Sequence, residues 1–333
     1  MTDDLSARAR TLLQTSLVWD NHACMPMRPN DASYLPRLSQ FRSAGADVIS
    51  LNIGFGPMSL DEHIRVAASY RRWLADHADD YVLVDTLADI DRAREEGKLA
   101  VTFDIEGMGP LNDGDHGLVD LFHHSGVRWM LVAYNRNNAV GGGCHDDDPG
   151  LTPFGREVLK EMKRVGMVVC CSHTGHRTVM DVMEAADNPV IFSHSNPLAM
   201  ANHARNIPDS LIRACAATDG VVGINGIGFF LGENDTSPRN LVRHIDHVVQ
   251  LVGPRHVGLG LDYVFDQEEL ADVLVTMKDT FPDPAAYAGV PNLAGPEVFE
   301  PVVAGLLGLG YGDADIAGIL GGNWRRVAET VWR

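Results

Sequence analysis

Eight short apolar runs constrain the fold of this chain more than any other feature: "SLVWD", "DVISLNI", "LAVTFDI", "RWMLVAY", "MVVCCS", "PVIFS", "GVVGIN" and "HVGLGL". Most of the gaps between them hold amphipathic stretches with helical spacing, among them "DEHIRVAASYRRWLADHA", "GREVLKEMKRVG", "HRTVMDVMEAAD", "DSLIRACAATD" and "NLVRHIDHVVQLVG". Near-continuous apolar strands alternating with such helices imply a parallel sheet covered on both faces. Eight of them predict one (β/α)8 TIM-type barrel domain over residues 1–333, with a doubly wound open sheet as the alternative.

Composition narrows the partners. The 333 residues are 45% hydrophobic and 22% charged, ordinary globular material, and the formal net charge of −18 argues against nucleic acid or an anionic membrane as a partner. A small molecule or dipeptide is the expected ligand, and a homodimer is left open. The N-terminal stretch has no cationic region leading into an apolar core, and no segment offers about 18 uncharged apolar residues in a row, so a cytoplasmic protein is expected. Cysteines at 24, 144, 170, 171 and 215 are odd in number and irregular in spacing, which predicts free thiols.

The ends of the runs are polar. They close on His22 with Cys24, Asn52, Glu106, Tyr134 with Asn135, His173, His194, Asn225 and Asp262. In a barrel those ends meet at one mouth, which places a metal site there; in an open sheet they would lie along a line and share no ion. Polar residues also cap strands in any fold, and for Asn52 and Asn225 that reading is at least as good. Three histidines and a glutamate at strand ends are better explained as ligands. Imidazole, carboxylate and thiolate suit Zn²⁺ or a similar divalent ion, and Glu106 can bridge two ions. The matched Ser-His endings of "CCSHTGH" and "VIFSHS" are the strongest part of this pattern. In "VWDNHACMP", Asp20, His22 and Cys24 are two apart, so extended chain points them to one side. His123, His124, His145, His244 and His247 lie in helical or loop contexts and read as structural. "GGGC" lacks the context of a phosphate loop, no Gly-x-Ser-x-Gly elbow is present, and Cys170 and Cys171 read as buried, inert thiols.

The order of "DNHAC", "DIEG", "YNRNNAVGGGC", "GLTPFGREVLKEMKRVGMVVCCSH", "PVIFSHSNP", "HARNIPD", "HVGLGLD" and "GGNWRRV" resembles the membrane dipeptidase (renal dipeptidase-like, M19) family of zinc peptidases in the amidohydrolase superfamily, from about Val18 to Val327. The resemblance implies two zinc ions: one on His22 and the residue two after it, one on His173 and His194, with Glu106 bridging. It implies that Arg205 and Asp262 face the substrate, and that Tyr134 stands where many members carry a histidine that polarises the scissile carbonyl. Tolerance for a D-residue at the C-terminal position is also implied. The chain departs from the pattern at its opening, reading His22-Ala23-Cys24 where members commonly read His-x-Asp. Thiolate is a competent zinc ligand, with a bond about 0.2–0.3 Å longer than Zn–N, but it makes a weaker Lewis acid of the ion. Two ions with Cys24 as a ligand is the expectation, and one ion on His173, His194 and Glu106 is the alternative. The expected activity is dipeptide hydrolysis by metal-bound hydroxide, with Tyr134 steadying the oxyanion, Asp262 carrying the proton and Arg205 pairing with the substrate carboxylate. Hydrolysis of another small amide, or ligand binding without turnover, are the alternatives.

Overall fold

The computed structural model describes residues 2–333. After a helix at Thr2–Thr15 the chain forms ten strands: β1 (Trp19–Cys24), β2 (Val48–Phe55), β3 (Tyr81–Leu83), β4 (Leu99–Glu106), β5 (Val127–Leu131), β6 (Val168–Cys170), β7 (Val190–Ile191), β8 (Val222–Ile224), β9 (Val257–Leu259) and β10 (Tyr263–Val264). Eight of these run parallel in the order β7-β6-β5-β4-β2-β1-β9-β8. The two ends of that row meet. Phe192, just past β7, pairs with Val222 of β8, and the amides of Phe192 and Gly223 donate across the seam to the carbonyls of Val221 and Phe192. The sheet is therefore closed into the (β/α)8 barrel, and the open-sheet alternative is excluded.

Two strands lie off the ring: β3 pairs with the first half of β4, and β10 pairs with the end of β1. Local chemistry starts and stops the covering helices. Ser59 and Glu62 form a reciprocal cap on Leu60–Asp76, and Thr152 followed by Pro153 opens Pro153–Val165, which Gly166 ends in the left-handed region at φ 85°. The apolar runs become the core, with Ile49, Leu51, Val101 and Phe103 fully buried. Among the described residues no helix is long and apolar enough to cross a membrane.

Two strand boundaries differ from the sequence expectation, and both matter for the site. The first strand does not stop at Asp20. It runs on through His22 and Cys24, after a register shift between Asp20 and Ala23, while the Asp20 carboxylate accepts the Leu261 amide at 2.8 Å. The "RWMLVAY" run is shorter than expected: β5 ends at Leu131, so Tyr134 and Asn135 stand on the following loop.

The seam leaves no room for side chains. A Cβ on Gly223 or Gly260 would lie 2.1 Å or 1.9 Å from the Ser193 carbonyl oxygen, whereas one on Gly308 meets nothing within 4 Å. Gly260→Ala is expected to lower unfolding stability by about 3 kcal/mol in urea titrations, and Gly308→Ala to leave it level or raise it slightly. Equal stabilities would show that the seam yields without strain.

Candidate metal centre

The strand ends converge as a barrel requires. Glu106 Oε1, at the end of β4, lies 3.2 Å from His173 Nε2, 3.3 Å from His194 Nε2 and 3.5 Å from His22 Nε2. The Nε2 atoms of His173 and His194 are 3.0 Å apart, and the rings of His22 and His194 stack at 4.2 Å. Cys24 Sγ sits 3.4 Å from His22 Nε2 and 3.8 Å from Asp262 Oδ1, which is itself 3.4 Å from His22 Nε2. Two groupings have the spacing of metal ligands: His22, Cys24 and Asp262, and His22, Glu106 and His194. His22 and Cys24 come together as expected, but Asp20, beyond the register shift, does not join them and turns its carboxylate to Leu261.

Each imidazole is held from behind. Asn135 gives its amide N–H to the Thr280 carbonyl, which turns its oxygen to His173 Nδ1 at 2.7 Å. Nδ1 must then carry the proton, and Nε2 presents a lone pair toward Glu106. His194 Nδ1 meets Ser193 Oγ at 2.8 Å. His22 Nδ1 lies 3.2 Å from Asp104, whose carboxylate accepts from Ser50 at 2.6 Å and Asn52 at 3.0 Å. Three imidazole nitrogens turned on one carboxyl oxygen at 3.2–3.5 Å make a convergent donor set, and histidines oriented through the opposite nitrogen are the usual arrangement around a metal. The donor set fits a divalent ion. Three of these residues hold left-handed backbone: Asn135 at φ 59°, His173 at φ 60° and Asp262 at φ 57°. For residues other than glycine that is strain of the kind tolerated at functional sites.

Burial and charge shape the titrations in the ion-free protein. Burial pushes His173 and His194 well below the usual imidazole range, aided by the Arg205 guanidinium. His22 goes the other way: burial opposes its charge, but Cys24, Asp104 and Glu106 together raise it well above that range. Burial lifts Glu106 to about 8 and raises the Cys24 thiol. Asp262 is buried too, yet His194, His22 and a 2.8 Å hydrogen bond from Asn225 hold it below the ordinary carboxylate range.

Above the cluster opens a cavity of about 860 Å³, counted out to its mouth, with Cys24, Glu106, Tyr134, His173, Arg205 and Asp262 among its walls. Tyr134 stacks on His173 at 4.2 Å, and burial with the nearby carboxylates raises its phenol well above normal. Arg205 is 3% exposed, gives one N–H to the His194 carbonyl at 3.3 Å and lies 5.3 Å over the Phe230 ring. Its Nε has no partner, and among the described residues it pairs with no carboxylate, so the surface ion pair open to an arginine in so acidic a chain is not what it forms.

The profile of the membrane dipeptidase family, peptidase family M19, matches residues 6–277. The chain belongs to this family. An uncharacterized protein of the pqqA 5′ region of Klebsiella pneumoniae is 32% identical over 260 residues, 74% of this chain and 87% of that one. A dipeptidase of Claviceps purpurea is 29% identical over 287 residues, 85% of this chain and 60% of its own length. Among solved structures, an amidohydrolase from Pseudomonas aeruginosa superposes with a TM-score of 0.88 at 25% identity, over 97% of this chain and 99% of that one. A metallo peptidase from Rhodobacter sphaeroides, liganded with a phosphinate mimic of L-Ala-D-Ala, has the same fold at TM-score 0.78 and 20% identity, over 96% and 100%.

Within this M19 barrel the strand-end residues expected at the site come together. Asn52 and Asn225 do cap, their Oδ1 atoms accepting the amides of Gly54 at 2.8 Å and Ile227 at 2.7 Å, and their Nδ2 atoms also hold a buried carboxylate of the site, Asp104 and Asp262 respectively. Asp104 itself escaped the sequence reading, although its place two residues before Glu106 on one strand was the available signal. His145 is half-buried with Nε2 2.6 Å from the Tyr287 hydroxyl, a packed structural contact as expected.

Glu106 and the Cys24 thiol hold their protons near neutrality without an ion, and ligation needs both ionised. Affinity for a divalent cation should therefore rise with pH through about 8, where Glu106 titrates. Calorimetry of Zn²⁺ binding in buffers of different protonation enthalpy should show release of at least one proton at pH 6.5. Zero release there would remove Glu106 from the ligand set.

Proposed function

We propose that this chain is a zinc-dependent dipeptidase in which His22, Cys24, Glu106, His173 and His194 would hold two ions. The observation that carries the reading is the unpaired guanidinium of Arg205, buried beside a convergent donor set and opening on the same cavity. A buried arginine without a counter-ion is expensive to maintain unless a ligand supplies the anion, and the carboxylate of a short peptide does so in a two-point contact.

Bound divalent ions supply a Lewis acid at the scissile carbonyl and bring a water near neutrality. The chain's own groups do the rest. Arg205 fixes the C-terminal carboxylate and so sets the register of the peptide over the donor cluster. Tyr134 keeps its proton at every working pH, because burial and the neighbouring carboxylates oppose ionisation, and its hydroxyl can steady the developing oxyanion. Asp262 stays ionised. Asn225 holds its Oδ2, and Oδ1, which faces His22 and Cys24, is the oxygen that would take the proton of the attacking water and pass it to the leaving amine. The M19 relation and the phosphinate-bound Rhodobacter fold support dipeptides, including those ending in a D-residue, as substrates.

Cys24 is the least conventional ligand in this set. Cobalt-loaded protein should show a thiolate-to-cobalt charge-transfer band, and elemental analysis should give close to two ions per chain. Cys24→Ser should lose the band and loosen one ion, whereas Cys24→Asp should keep two ions without the band. A single ion unchanged by either substitution would take Cys24 out of the site.

Arg205 tests the substrate class. Arg205→Ala should lower kcat/KM for a free dipeptide by about 2–4 kcal/mol, with a much smaller loss for the C-terminal amide of the same peptide, and Arg205→Lys should recover only part. An equal loss on acid and amide would reject the carboxylate role.

A further inference from the structure

The helix Gln267–Thr276 carries Leu270, Val273 and Leu274 at helical i, i+3, i+4 spacing, yet none of its residues is buried. A helix with such a stripe ordinarily buries it against the core. Here the three side chains line the catalytic cavity, as do Met25, Met27 and Val264 from the ends of β1 and β10, and Val273 and Leu274 also pack on the cluster of Ile227, Phe230, Phe281 and Tyr287. Leu270, which packs on none of the core clusters, is left to face whatever fills the cavity.

The topology says which part of a peptide that is. Around the ring β1 and β9 are neighbours, and β7 lies three strands from β1 by way of β8 and β9. Arg205 follows β7 and packs on Phe230 and His203, so the carboxylate end lies on the β7–β8 side. Met25 and Met27 follow β1, Val264 is in β10 paired to β1, and Leu270 comes next, so this wall stands across the donor cluster from Arg205. A dipeptide anchored by its carboxylate at Arg205, with its scissile carbonyl over Glu106, directs its acyl residue at this wall. The polar groups at its rim are already engaged, since Asp266 and Glu269 both pair with Arg28, at 2.8 Å and 3.3 Å.

We infer that the acyl-side residue of the substrate is a large apolar one, of leucine, methionine or phenylalanine type, and that Met27 and Leu270 select it. The inference rests on the dipeptidase reading for its orientation. Burying such a side chain should raise kcat/KM by about 10–200-fold over glycine.

The test compares Leu-Gly, Gly-Leu, Glu-Gly and Gly-Gly with the zinc-loaded enzyme, and measures binding of the same four peptides to zinc-loaded Asp262→Asn by calorimetry. Leu-Gly should be the best substrate and the tightest ligand. Leu270→Gln and Met27→Gln, both at half-buried positions where folding tolerates polarity, should shrink the Leu-Gly to Gly-Gly ratio at least five-fold while the Gly-Leu to Gly-Gly ratio holds. A flat panel, or a preference for Gly-Leu that these substitutions leave alone, would overturn the inference while the dipeptidase reading stands. No hydrolysis of any peptide, with Leu-Gly still the tightest ligand, would do the reverse.

Discussion

The approach of three imidazole nitrogens to a single oxygen of Glu106, at 3.2–3.5 Å, is the contact that the rest of the structure serves. It packs three imidazoles against one carboxyl group in a space that water barely enters, and it persists because each partner is fixed from outside. Asn135, Ser193 and Asp104 stand behind the three rings, and Ser50 and Asn52 stand behind Asp104. Those supports lie on or just after four different strands, β2, β4, β5 and β7, which a closed barrel brings to one point. Left-handed backbone at Asn135, His173 and Asp262 adds strain on the order of 1–3 kcal/mol each, and the hydrogen-bonded ring beneath them bears it.

In the ion-free state protons take the place of the cation. His22 is held charged, while Glu106 is lifted to about 8 by burial, so the cluster lowers its net charge by retaining protons. Ion and proton therefore compete for the same lone pairs. The neighbouring guanidinium of Arg205 depresses His173 and so favours the deprotonated nitrogen that a metal needs. Arg205 thus has an electrostatic effect on the donor set as well as an opening toward the cavity.

The barrel was legible because eight apolar runs recur along the chain, most with a polar residue at or just beyond the end, a pattern set by burial on both faces. His173 and His194 could be paired from sequence since both follow a serine at a strand end, and His22 with Cys24 since extended chain has period two. Arg205 had no such signature; only the resemblance of "HARNIP" marked it. For Asn52 and Asn225 the cap was legible and the carboxylate was not, because the amide oxygen serves the cap while the amide nitrogen serves the carboxylate. The register that sets Asn52 directly beside Asp104 is what separates the two roles, and register is not written in either segment alone. Strand β3 was too short to stand out, being three residues against half of β4. The helix at 267–276 escaped because its stripe serves a cavity, so its pattern lacks the strength of a core-facing helix.

The seam between β7 and β8 has a consequence for how the donor set is put together. His194 is placed by hydrogen bonds on either side of it: its own amide donates to Ser172 Oγ at 3.1 Å, and the next amide, of Ser195, crosses the seam to the Gly223 carbonyl at 2.7 Å. The last histidine of the cluster is thus aimed by a wall that lies further along the chain, in β8, and that β9 flanks in turn, so the donors are in place only where the barrel has closed.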